Sequence, residues 1–172
     1  KNENALIEWL VLKNDGSKYL LISKYALYCK PYNTSFKSVT WKTCSLRKWL
    51  NGAFFNNAFS VEEQKQILST TVTTTDYSTV NTKDRVFLLS SAEAEKYFDS
   101  YSARQCQGTA YCFAQGADNA RNGNCNWWLR SPGSSFRTAR YVDNSGISHG
   151  YSCSVDEDTI AVRPALWIDL GS

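Results

Sequence analysis

The residues in this chain whose types could do chemistry are six cysteines, a single histidine and a short run of carboxylates. Nucleophilic catalysis needs a hydroxyl or thiol activated by a neighbouring base. The histidine, His149, sits between Ser148 and Gly150 in a polar stretch that offers no third group to orient it. Zinc needs clustered thiolates or imidazoles, and Cys29, Cys44, Cys106, Cys112, Cys125 and Cys153 do not recur at such a spacing. Asp156-Glu157-Asp158 could gather around a hard cation, but a run of this kind reads first as a solvated turn. The sequence therefore assigns no catalytic residue, no metal and no cofactor.

What remains is recognition. Phe136, Arg137, Arg140, His149 and Tyr151 are the aromatic and guanidinium types that anchor interfaces. Asp143, Ser148, Ser152 and Ser154 supply adaptable hydrogen bonding, as serine does in antibody loops. Ser135, Thr138 and Asp156 complete a candidate ligand-binding patch, and every member lies between Ser134 and Ile160. The alternative is that the stretch is an ordinary exposed loop.

This segment must be held by its flanks. Asn126-Trp127-Trp128-Leu129-Arg130-Ser131-Pro132-Gly133 precedes it and Ala161-Val162-Arg163-Pro164-Ala165-Leu166-Trp167-Ile168 follows. Both flanks read as buried strands bounded by turn signals. A loop-like segment pinned between packing strands is a surface displayed on a scaffold. Trp127, Trp128, Arg130, Tyr141, Arg163, Pro164 and Trp167 are read as that scaffold, with Arg130 and Arg163 paired to buried carboxylates or carbonyls.

Upstream, Leu6–Leu12 and Lys18–Ser23 flank an Asp15-Gly16 turn, a strong hairpin signal. Ser45–Asn51 reads as a short helix with Leu46, Trp49 and Leu50 on its inner face and Gly52 as its stop. Ser60 with Glu63, and Ser90 with Glu93, are capping boxes that open two more helices. Ser69–Thr82 is an extended edge or exposed loop, and Asp84–Ser90 a short buried strand. Ala103–Asn126 is irregular, anchored by Tyr111, Phe113 and nearby cysteines. Hairpin, short helices and late strands together make an α+β class.

A chain of 172 residues suits one domain. The net charge of +3 is small and its basic residues are scattered, which argues against nucleic acid as a partner. No apolar run approaches the ~20 residues of a membrane span. No secretory leader is legible at Lys1.

Trp127-Trp128-Leu129-Arg130-Ser131-Pro132-Gly133, Tyr141-Val142 and Ala161–Ile168 resemble a domain of unknown function common in gut Gram-positive bacteria and their phages. Tyr19–Leu27 and Leu46–Asn51 are similar to the same domain, so the resemblance spans nearly the whole chain. Its C-terminal part also resembles the variable proteins of diversity-generating retroelements. That resemblance implies a C-type-lectin-like fold with an N-terminal β-hairpin, two or three short helices and late antiparallel strands carrying long loops. It also implies a non-catalytic role, with residues 134–160 diversified to bind a protein or glycan at a cell, secreted or virion surface. An Asn codon varied at its two adenines cannot give Lys, Glu, Gln, Met or Trp. Between Ser134 and Ile160 only Glu157 falls outside the permitted set. A static adhesion or carbohydrate-binding module is the alternative. The lectin-like fold also carries the formylglycine-generating oxidase, which needs a dedicated cysteine pair, here Cys106 with Cys112 or Cys125 with Cys153.

Overall fold

In the computed structural model, residues 6–75, 80–148 and 150–171 are described. Strands β1 (Trp9–Asp15) and β2 (Lys18–Ser23) form the expected hairpin. Its tight turn needs Gly16 at φ 67°, a left-handed conformation that glycine adopts without strain. The chain then leaves this sheet and lays down β3 (Tyr28–Cys29) in a second one.

Helix α1 (Ser45–Trp49) does not stop at Gly52. It runs through a π-helical turn (Leu50–Phe54) into α2 (Phe55–Ala58), because Leu50, Phe54 and Phe55 continue the buried stripe. Core packing outweighs the glycine, which costs a helix only ~1 kcal/mol. Both capping boxes form as expected, opening α3 (Val61–Gln66) and α4 (Ser91–Tyr97). Two further short helices, α5 (Tyr101–Arg104) and α6 (Ala110–Ala114), interrupt the stretch expected to be irregular. The helices are thus more numerous than two or three.

The Thr-rich stretch pairs as β4 (Thr70–Thr74) with β5 (Val80–Asp84), burying Val72, Thr74, Thr82 and Asp84. The expected strand at 84–90 is buried over Val86–Leu89, yet it joins a sheet only through the bridge Phe87–Ala165.

The late strands are β6 (Trp127–Pro132), β7 (Thr138–Val142), β8 (Ser152–Ser154), β9 (Ala161–Val162) and β10 (Ala165–Asp169). One sheet has the order β1-β2-β10, so the last strand closes on the first hairpin; the other has the order β3-β9-β6-β7-β8. Its β6–β9 contact is parallel and its other pairings are antiparallel. The fold is α+β. Among the described residues, no helix is long and apolar enough to cross a membrane.

β6 is the spine of the second sheet. Trp127, Trp128 and Leu129 are wholly buried, and each indole N–H finds a carbonyl, Arg104 for Trp127 at 3.2 Å and Lys30 for Trp128 at 2.9 Å. Arg130, at 1% exposure, donates to the Leu88 carbonyl at 2.8 Å, the Thr73 carbonyl at 2.7 Å and Glu93 Oε1 at 2.9 Å. The expected carboxylate partner is therefore the same Glu93 that caps α4.

Candidate functional site: the face carried by β7 and β8

Residues 134–160 are not an open loop. The segment contributes β7 and β8 to the second sheet, so part of it is backbone-paired framework. Ala139, Val142, Val155 and Ile160 face the interior. Alternation then decides which side chains are presented. Thr138 pairs with Ser154 and Arg140 with Ser152, and directly opposed residues share a face. Thr138, Arg140, Ser152 and Ser154 therefore line one side of the ladder, opposite Ala139 and Cys153. β8 ends the sheet order, so this face lies at the sheet's edge.

The connection from β6 to β7 projects the turn 134–137. Ser135 and Thr138 hold it: Arg137 N–H donates to Ser135 Oγ at 3.2 Å, and Ser135 N–H to Thr138 Oγ1 at 3.2 Å. Gly133 lies so close to Thr138 and Ser152 that any Cβ there would collide with both. At the tip, Phe136 is 39% exposed, its carbonyl accepting from Val39 N–H at 2.8 Å. The Arg137 guanidinium lies 5.4 Å from the Phe36 ring, and Phe36 is 57% exposed. Phe36 is thus a member of the surface that sequence reasoning missed. The available signal was a lone Phe between Ser35 and Lys37 in a polar turn.

Tyr151, 42% exposed, packs its ring 5.9 Å from Tyr141, which in turn meets Trp128 edge-on at 6.5 Å. An exposed ring is thereby braced by the buried spine. Desolvation raises the Tyr141 hydroxyl's pKa above its ordinary value, with the Cys153 thiol adding to it. Arg140 donates its Nε to the Pro132 carbonyl at 3.3 Å, and Asp156 accepts from the Ser154 hydroxyl.

Two expected members lie elsewhere. Asp143 begins the turn after β7, and its Oδ1 accepts from the N–H groups of Ser145 and Ile147, both at 2.9 Å. Ser148 is fully buried and donates to Glu95 Oε1 at 3.1 Å, so it presents nothing to a ligand. His149 lies outside the described residues. The surface that the fold assembles is Ser135, Phe136, Arg137, Thr138, Arg140, Ser152, Ser154 and Asp156, with Phe36 added, whereas Tyr151 packs on Tyr141 and by the same alternation belongs to the Ala139–Cys153 side. That surface has aromatic and guanidinium groups on a polar ground.

Among the described residues, no group of three His, Cys, Asp or Glu side chains is arranged to hold a metal ion. The structure brings Cys106, Cys112 and Cys125 together in the interior, whereas Cys153 lies on β8 opposite Ala139.

Short helices around a hairpin-closed sheet and a five-stranded mixed sheet define an α+β domain with a polar-aromatic edge face. The chain belongs to the family described as Domain of unknown function (DUF6273), which matches residues 16–170. No curated protein matches it significantly, and no solved structure does.

Proposed function

We propose that this domain is a non-catalytic binding module of C-type-lectin-like type, whose β7–β8 face is diversified to recognise protein or glycan targets. The observation that carries the reading is a division of labour within residues 134–160. Phe136, Arg137 and Tyr151 are exposed, while the strands beneath them bury Ala139, Val142 and both spine tryptophans. Glu157, the residue outside the set reachable from an Asn codon, is committed to structure. It accepts from the Thr159 N–H at 3.2 Å and hydroxyl at 2.8 Å. Asp143 and Ser148 are equally committed, which narrows the variable positions to the turn tip and the β7–β8 ladder. Binding would follow from aromatic anchors ringed by polar groups. A cell, secreted or virion surface is the setting this role requires.

The test is genomic and then functional. A neighbouring reverse transcriptase gene with a template copy differing from the 134–160 coding segment only at adenines is the expected finding. Substitutions confined to buried positions, or spread evenly over the chain, would overturn diversification.

A static carbohydrate-binding module is the second reading, favoured by a recess of about 210 Å³ between β4 and α4. Leu20, Val72, Phe87, Tyr97, Trp167 and Glu93 line it. Of its three rings Phe87 is buried, and the partly exposed Tyr97 and Trp167 are the ones able to stack on a sugar face. Saturable binding of a monosaccharide, abolished by Trp167→Ala and untouched by Phe136→Ala, would select this reading over the first.

A further inference from the structure

Away from that face, the interior holds a group of nucleophiles that recognition does not use. Cys106, Cys112 and Cys125 are all buried, and the Cys125 thiol donates to the Cys106 carbonyl at 3.4 Å. Backbone pairing fixes the relation of two of them. Cys125 N–H donates to the Cys106 carbonyl at 2.9 Å and Gly108 N–H to the Gly123 carbonyl at 3.2 Å. These bonds bracket the antiparallel bridge between Gln107 and Asn124. Cys106 therefore stands directly opposite Cys125. Opposed residues of this kind have Cα atoms ~5.5 Å apart, inside the range of about 4.4–6.8 Å that a disulfide spans. Cys112 arrives differently, from α6, with its thiol donating to the Tyr28 carbonyl at 3.2 Å.

A second observation points at the same place. Arg163 is 1% exposed and has no carboxylate partner among the described residues. Its Nε donates to the Ser23 carbonyl at 2.9 Å, but its Nη1 finds no hydrogen-bond partner there. The guanidinium packs over the rings of Trp127 at 5.0 Å and Phe98 at 5.2 Å. The titratable groups acting on it are the thiols of Cys106 and Cys125. A buried cation without a counter-charge favours a neighbouring thiolate, although burial outweighs it at Cys106 and both thiols are held above the ordinary value while the fold is closed.

We propose that Cys106 and Cys125 are a disulfide-forming redox pair, with Arg163 as the positive group beside the sulfur that attacks. The oxidant is a small disulfide such as oxidised glutathione. One cysteine thiolate attacks its S–S bond and releases one glutathione thiolate, which takes up the proton the cysteine gave up. The second cysteine then loses its proton and displaces the remaining glutathione, forming the Cys106–Cys125 bond. Two electrons pass from the cysteines to the oxidant, which leaves as two thiols. Because both sulfurs are buried, exchange takes place as the chain folds or when the 107–124 segment opens locally. The finished bond clamps that segment, with α6 inside it, at its base.

The experiment is refolding of the full chain in a glutathione redox buffer, followed by alkylation with iodoacetamide in denaturant and peptide mapping. The expected result is a Cys106–Cys125 linked peptide, with the other four of the six cysteines alkylated. The oxidised protein should melt about 6–12 °C above the reduced one, as a loop of this size implies. Cys125→Ala should abolish both the link and the melting difference. Alkylation of all six thiols, or a bond that uses Cys112, overturns the proposal. If Cys125→Ala does not fold, the wild-type peptide map decides alone.

Discussion

Arg130 shows how one side chain can tie three parts of the molecule together. It reaches β4 through the Thr73 carbonyl and Thr74 Oγ1, the 84–90 segment through the Leu88 carbonyl, and α4 through Glu93. Arg130→Ala would strand those carbonyls and open a cavity, although Glu93 could still turn toward water. We expect a loss of about 3 kcal/mol in chemical denaturation; a loss below ~1 kcal/mol would mean that the network is solvated. Cys44 sets a second test. Burial pushes its thiol from an ordinary 9.0 up to about 12, and burial raises Cys29 to about 11. A raised folded value keeps the proton on in the native state while the unfolded chain loses it. The contribution to stability is therefore whole below pH 9 and declines as pH rises toward the folded values. Each such thiol costs up to ~1.4 kcal/mol per pH unit in that window. The melting temperature measured from pH 8 to 11 should fall less steeply in Cys44→Ala than in the wild type. Equal slopes would remove Cys44 as a contributor.

At the scale of elements, what holds the C-terminal segment is visible at Gly146. Its φ of 87° suits glycine, and a Cβ there would run into the Tyr101 carbonyl oxygen. The Gly146 carbonyl also accepts from Arg104 Nε at 2.8 Å, which docks the turn after β7 onto α5. Gly146→Ala should undock that turn, costing about 2 kcal/mol or more, and hydrogen exchange should quicken at Asp143–Ser148. Unchanged exchange would show that the turn yields without strain. Elements whose signal is local were readable beforehand. The Asp15-Gly16 turn and the Ser60 and Ser90 capping boxes each act within four residues, and all formed as read. The run from α1 to α2 passes the stop that Gly52 signals because the burial of Phe54 and Phe55 outweighs a glycine's local penalty. β7 and β8 carry a weak strand signal for a related reason. One face of the pair carries Thr138, Arg140, Ser152 and Ser154, and the buried residues of β7, Ala139 and Val142, are three apart and so break the period-two pattern. Ser148 could not be placed from sequence, since its burial depends on Glu95 of a helix far back in the chain.

At the scale of the whole molecule, the question is whether the surface can change without disturbing what lies beneath. The core argues that it can. The rings of Tyr32, Trp41, Trp128 and Tyr141 form a chain of contacts from the first helical region to β7, with centroids 5.8–6.5 Å apart. Tyr151 packs on Tyr141 beyond the end of this chain, Phe136 and Arg137 are exposed, and Arg140 is partly covered. Surface substitutions of this kind usually stay within ~0.5 kcal/mol each. Replacing all four with Ala should therefore move the melting temperature by less than about 4–8 °C. Tyr151 is the member most exposed to dispute, since its ring touches Tyr141. Single replacements should rank it first in cost, with Phe136 and Arg137 close to neutral. Trp128→Ala is the control. It removes a fully buried ring and the indole bond to Lys30, and should cost about 3–5 kcal/mol. If the four-fold variant loses as much stability as Trp128→Ala, the face is part of the core's support, and a tolerant binding surface is the wrong description of it.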